Sequence, residues 1–195
     1  MKYKTLLPLL LLLVMNCTTI EISSSVLAPG VIQDLDGVYY AIYTDDSIEA
    51  AATYIESRSR AIYELNSVHF EQDTYSFLNN AGAFTVENLI AIAKDQNCNY
   101  FIMMNVDEYD QTVTPNYAYT GTSFGYAGSS KTIEHGLKAR LFSVADTTEI
   151  WRAVIDVTSG DYGNRKQTGN AIAFEVIDKL KRDRIYPAGF NTKLK

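Results

Sequence analysis

A chain of 195 residues is the size of one domain. Its 47% hydrophobic and 21% charged residues are the balance of a globular protein, which excludes long disordered and collagen-like readings. Lys and Arg total 17 against 23 Asp and Glu, a net charge of −6 with no basic run, so no nucleic-acid partner is expected; phosphate neutralisation needs clustered cations. Two cysteines are too few for a disulfide scaffold.

Lys2 and Lys4 form a positive start, and Leu6 to Met15 follows as an apolar run. Ten residues rise ~15 Å as a helix, half of a ~30 Å hydrocarbon core, so the run reads as a signal-peptide segment and not as a span. It ends at Val14-Met15-Asn16-Cys17, which places a cysteine where a secretory signal is cut. This resembles the lipobox of bacterial lipoproteins, in which the cysteine becomes the first mature residue and carries lipid; Asn16 stands where a small residue is usual. Residues 1–16 are then signal peptide, and Cys17 is the lipid-attachment residue. Removing Lys2 and Lys4 makes the rest more acidic still, so membrane attachment must come from the acyl chains.

Residues 17–36 read as lipidated Cys and tether, rich in Ser, Pro and Gly, with ~60 Å of reach if extended. The alternation around Glu21, Ile22 and Val26 offers an edge strand as the other reading. Asp34-x-Asp36-Gly37 is a turn signal without the later ligands of a calcium loop.

Residues 37–195 read as a single domain. Val38 to Tyr43 is β-branched and aromatic, hence a strand. Asp46-x-x-Glu49 forms a capping box ahead of a helix with the stripe Ile48, Ala52, Ile55, Ser59, Ile62, ending near Asn66. Ser67 to Phe70 is a short strand, and Asn79 to Gly82 a turn. Thr85 caps a second helix with Val86, Leu89, Ile90 and Ala93 on its apolar face, ended by Asn97-Cys98-Asn99. Tyr100 to Val106 is nearly all apolar, as in a strand buried on both faces. Thr132 to Val144 and Glu149 to Val157 pair as antiparallel strands around an Asp146-Thr147-Thr148 turn. A last helix spans about Gly169 to Arg182 with Ala173, Val176, Ile177 and Leu180 as its stripe, before an exit tail from Pro187. The expected class is α+β, a single mixed sheet with about three helices, in the order β-α-(β)-α-β-β-β-α.

Two stretches carry a resemblance. Ala93 to Ile102 is a helix end, a polar-aromatic step and an apolar strand. Leu137 to Asp146, followed by Glu149-Ile150-Trp151-Arg152-Ala153, is a strand, an Asp-containing turn and a Trp-bearing strand. Over roughly Val38 to Arg182 the chain resembles a group of bacterial envelope proteins. These are the N-terminal domain of the Tol-system protein TolB, the curli-secretion lipoprotein and the lipoprotein activators of peptidoglycan synthases. The resemblance implies fold and compartment, the outer membrane of a diderm cell, and no activity.

Chemistry-bearing residues are few. His69 and His135 lie far apart and do not make a zinc site, which needs three or four ligands. Cys98 reads as a packing residue, Trp151 as a core aromatic under the last helix, and Arg58 and Arg60 as solvent-facing. Asp107, Glu108 and Asp110 read as a solvated strand end. No nucleophile, phosphate-loop or metallohydrolase motif occurs. No catalytic residue, metal or cofactor is therefore expected. What stands out is a Tyr- and Gly-rich hairpin insertion at about residues 107–131 that reads as structureless. Tyr offers large contact area at low entropy cost, so Tyr117, Tyr119, Phe124 and Tyr126 are the candidate interaction surface. The expected function is a lipid-anchored, non-catalytic interaction module whose partners are the membrane and an envelope protein or cell-wall component. A small-ligand-binding protein or hydrolytic enzyme, with its site at the sheet end, is the alternative.

Overall fold

The computed structural model describes residues 19–28, 32, 39–44, 49–70, 85–119, 124–160 and 165–193. Six strands, β1 (Thr19–Val26), β2 (Tyr39–Thr44), β3 (His69–Phe70), β4 (Tyr100–Tyr119), β5 (Phe124–Ser143) and β6 (Thr148–Gly160), form one sheet in the order β1-β6-β5-β4-β2-β3. The β1–β6, β6–β5 and β5–β4 ladders are antiparallel, and β4–β2 and β2–β3 are parallel. Among the described residues three helices, α1 (Glu49–Glu64), α2 (Val86–Asp95) and α3 (Arg165–Arg182), accompany the sheet in an α+β fold. The expected order holds from β2 onward.

The extra strand is β1. Thr19–Val26 pairs along its whole length with β6, from Thr19 opposite Thr158 to Val26 opposite Trp151. Over these residues the edge-strand reading holds and the tether reading fails, and the ~60 Å reach goes with it. The physical reason lies in the alternation: Ile20 and Ile22 pack against the core while Thr19, Glu21, Ser23 and Ser25 are exposed.

The two faces of the sheet are covered unequally. On one, α1 and α3 bury Ile55, Ile62, Ala173, Val176, Ile177 and Leu180 against Ile102, Met104, Leu137, Ala139, Leu141, Trp151, Ala153, Ile155 and Val157. On the other, the shorter α2 covers only the middle, with Leu89 and Ala93 on Phe101, Met103, Phe142 and Val144. β4 is thus buried from both sides, which explains its continuous apolar run. Thr85 caps α2, its Oγ1 accepting from the Asn88 amide at 3.4 Å, and Asn97 ends the helix in the left-handed region at φ 55°. Cys98 is buried in this smaller core.

α3 begins at Arg165, before the expected Gly169, because its first turn carries no apolar stripe to read. Gly169 is where α3 meets α1: a Cβ there would lie 2.7 Å from the Tyr54 Cβ and 2.9 Å from the Ala51 carbonyl oxygen, so only glycine fits the crossing. The expected exit tail does not leave. Ile185, Tyr186, Phe190 and Thr192 are buried, and the Tyr63 and Tyr186 hydroxyls lie 2.8 Å apart. The Asn66 side chain holds the Asn191 backbone through its N–H at 2.7 Å and its carbonyl at 2.9 Å.

Asp183 joins three elements. It accepts from Ser24 Oγ of β1, from Trp151 Nε1 of β6 at 2.7 Å and from Lys179 Nζ of α3 at 2.6 Å. Burial alone would raise its pKa, but these donors and the Lys179 charge outweigh burial and hold the carboxyl below its ordinary value.

Candidate functional site

β4 and β5 outrun the rest of the sheet. The β5–β6 ladder ends at Thr132 opposite Gly160, and the β2–β4 ladder at Thr44 opposite Met104. From Val113 opposite Lys131 to Tyr119 opposite Phe124, the two strands pair only with each other among the described residues. At ~3.4 Å per residue this ribbon carries its end roughly 24 Å beyond the last three-stranded row. The segment expected to be structureless is therefore a continuous ladder.

Two register shifts hid it. One lies between Val106 and Glu108, the other between Asn116 and Tyr117. Each adds one residue to one strand and reverses which positions share a face. Once the shifts are counted, one face carries the rows Val113–Lys131, Pro115–Ser129, Tyr117–Tyr126 and Tyr119–Phe124. The other carries Thr112–Thr132, Thr114–Ser130, Asn116–Gly128 and Ala118–Gly125. The four candidate aromatic residues thus occupy two directly opposed pairs on one face at the ribbon's end.

The other sequence candidates separate. Cys17, Asp34 and Asp36 lie outside the described residues. Trp151 is fully buried, as read, and its ring belongs to the core. Asp107 is the extra residue at the first register shift, and Glu108 and Asp110 sit opposite Gly136 and Glu134. Among the described residues no group of His, Cys, Asp or Glu is placed to hold a metal. Arg60 pairs with Glu56 and Glu64 at 3.8 and 4.0 Å. Arg58 departs from its solvent-facing reading: it is half-buried, and its Nε is buried without a hydrogen-bond partner.

The structure also brings together residues that sequence reasoning left apart. Where α2 does not reach, no described element covers this face of β1, β6 and β5. A cleft of about 400 Å³ there is lined by Ser23, Ser24, Ser25, Lys138, Arg140, Arg152, Ala153 and Val154. Arg140 and Arg152 are direct partners across β5 and β6, with Ser25 opposite Arg152 on the other side. Glu149 holds both guanidinium groups: Oε2 accepts from Arg140 Nε at 3.0 Å and from its Nη2, and Oε1 accepts from Arg152 Nε at 2.7 Å. Burial works to raise the Glu149 pKa, and the two arginines more than reverse it. Arg140 also lies 4.8 Å over the Phe142 ring, which stacks on Phe101. The sequence signal was Lys138-x-Arg140 on one strand face. Its serine wall was concealed in a stretch read as tether.

No protein-family model matches this sequence, and no curated protein does. Among solved structures it is similar to the PelC dodecamer from Paraburkholderia phytofirmans, at 14% identity and a TM-score of 0.46 over 84% of this chain and 97% of that one. Lipoprotein GNA1162 from Neisseria meningitidis matches at 11% identity and a TM-score of 0.43, over 74% and 99% of the two chains. A minor lipoprotein from Acinetobacter baumannii matches at 8% identity and a TM-score of 0.36, over 75% and 94%. At this level the likeness says nothing of a shared role. Among the described residues no helix is long and apolar enough to cross a membrane.

Proposed function

We propose that this chain is a lipid-anchored, non-catalytic protein of the bacterial envelope, held by Cys17 in the outer membrane of a diderm cell. It presents the β4–β5 ribbon to a protein or cell-wall component. The observation that carries the reading is the register: Tyr117, Tyr119, Phe124 and Tyr126 share one face at the end of a two-stranded ribbon, with Ala118, Gly125, Asn116 and Gly128 on the other. Aromatic residues set among small and polar ones are the composition of adaptable contact surfaces. The position of the anchor adds a constraint. Thr19, two residues after Cys17, sits in the row Thr19–Thr158–Glu134, at the sheet end from which the ribbon projects. The ribbon's end lies roughly 30 Å further the same way. A partner reached by it is close to the membrane.

The enzyme alternative finds little support in the open-face cleft. Its carboxylate, Glu149, has both oxygens taken by arginines and is held ionised, a poor general base.

Two experiments test the reading. A photo-reactive residue at Tyr119 in the anchored protein should give a discrete adduct in the producing cells. The same residue at Ala118, on the opposite face, should give little. Equal yields from both positions, or none from either, would remove the ribbon as a contact surface. For the anchor, Cys17→Ala should leave a precursor that takes up no labelled palmitate. Persistent labelling would show that lipid is attached elsewhere or not through a lipobox.

A further inference from the structure

The cleft on the open sheet face has no part in the ribbon reading, and its chemistry points to a ligand. We infer that it binds a compact multivalent oxyanion, of the size and charge of pyrophosphate or a phosphate ester.

Like charges directly opposite one another on a sheet destabilise it, yet Arg140 and Arg152 are direct partners, and Lys138 lies one pleat further along the same face of β5. Glu149 ties the two arginines together, so two guanidinium groups share one carboxylate in a chain whose net charge is −6. The excess positive charge is local and built on strands, where it cannot relax away.

Glu149 takes Nε and Nη2 of Arg140 and Nε of Arg152. Among the described residues Arg140 Nη1 and both terminal nitrogens of Arg152 have no hydrogen-bond partner, and the Arg152 side chain is 56% exposed. Guanidinium forks match oxyanions in a bidentate manner. Ser25, beside Arg152, and Ser23, beside Val154, place hydroxyls on the same face. Arg140 is already held by Glu149 and the Phe142 ring, so little ordering entropy is left to lose on binding.

One row beyond Ser23, Glu21 pairs with Asp156. These carboxylates close the cationic area on that side, so a long polyanion running along the strands would meet repulsion while a compact anion would not. Val154, 40% exposed between Ser23 and Lys138, gives the floor an apolar spot for the body of an ester.

The shared chemistry, a terminal phosphate, can come from a soluble metabolite or from a phospholipid headgroup, and the test separates them. The full chain in zwitterionic detergent is titrated with inorganic pyrophosphate by calorimetry. Saturable binding is expected. Arg152→Gln should weaken it about tenfold, ~1.4 kcal/mol, with the melting temperature unchanged because Arg152 is exposed. Arg152→Lys should recover part of the affinity. A second arm floats the unlipidated Cys17→Ala chain with vesicles of phosphatidylglycerol or of phosphatidylcholine. Flotation that requires phosphatidylglycerol and falls with Arg152→Gln supports the site with a headgroup as source. Pyrophosphate binding without such flotation supports it with a soluble phosphate. If the full chain shows no saturable binding and the vesicle arm shows none dependent on Arg152, the inference is overturned. It is equally overturned if Arg152→Gln binds pyrophosphate as the unaltered chain does.

Discussion

Trp151→Ala should lower the melting temperature by on the order of 10 °C. The ring is fully buried in the larger core, beneath α3. Truncating such a ring costs ~3–5 kcal/mol, the lost transfer energy plus the cavity. In a chain of this size each kcal/mol moves the midpoint by ~2–4 °C. The indole contributes a second effect, because its Nε1 donates to Asp183 at 2.7 Å. Without it Asp183 keeps Ser24 and Lys179, so the carboxylate is not orphaned, but the bond joining β6 to the end of α3 is gone. Trp151→Phe should lie between, retaining most of the packing and losing the hydrogen bond. Thermal unfolding followed by circular dichroism measures both. A shift below one or two degrees for Trp151→Ala would place the ring outside the core.

Most of the fold was legible because its apolar positions keep a fixed period. The stripe Ala52, Ile55, Ser59, Ile62 marks α1, and all four are buried. Leu137, Ala139 and Leu141 alternate as a strand should, and they face α1 and α3. What escaped reading shares one physical cause: burial or pairing that breaks or lacks a local pattern. β1 is Ser-rich, with Ile20 and Ile22 its inward apolar residues, so its alternation offers an edge strand only beside a tether, and its pairing with β6 depends on a partner more than a hundred residues away. The C-terminal residues Ile185, Tyr186, Phe190 and Thr192 are buried at irregular intervals. The two shifts fall on different strands, with Asp107 the extra residue of β4 and Ala127 that of β5, so the facing of Tyr117 and Tyr119 by Tyr126 and Phe124 shows in neither strand read alone.

The site was legible only in kind. Tyr117, Tyr119, Phe124 and Tyr126 were recognisable as contact-prone by composition, yet their grouping on one face follows from register, which no local pattern encodes. The cationic cleft was less legible still. Its serines, its lysine and its two arginines come from three strands that are neighbours only in space.

Replacing Val113–Lys131 by Asn-Gly, so that Thr112 and Thr132 become the last pair of the hairpin, should leave melting unchanged or slightly raised and abolish capture of the partner. The removed rows pair only with each other among the described residues, and a two-stranded ribbon without a third strand is marginal by itself. The rows that remain are held by β6 as far as Thr132 opposite Gly160, so the cut does not expose a new unsupported edge. Asn-Gly closes antiparallel strands in the turn type that suits their twist, and the shorter connection costs less closure entropy. Trp151, Leu141 and Ile102 lie in the retained part, so the core is untouched. Proximity crosslinking from the anchored protein in its own cells, read by mass spectrometry, gives the functional arm. Loss of one partner species at constant melting temperature would assign binding to the ribbon. A large fall in melting temperature would mean that the ribbon packs on the domain and is part of its stability. Unchanged melting with unchanged capture would move the contact surface away from Tyr117, Tyr119, Phe124 and Tyr126.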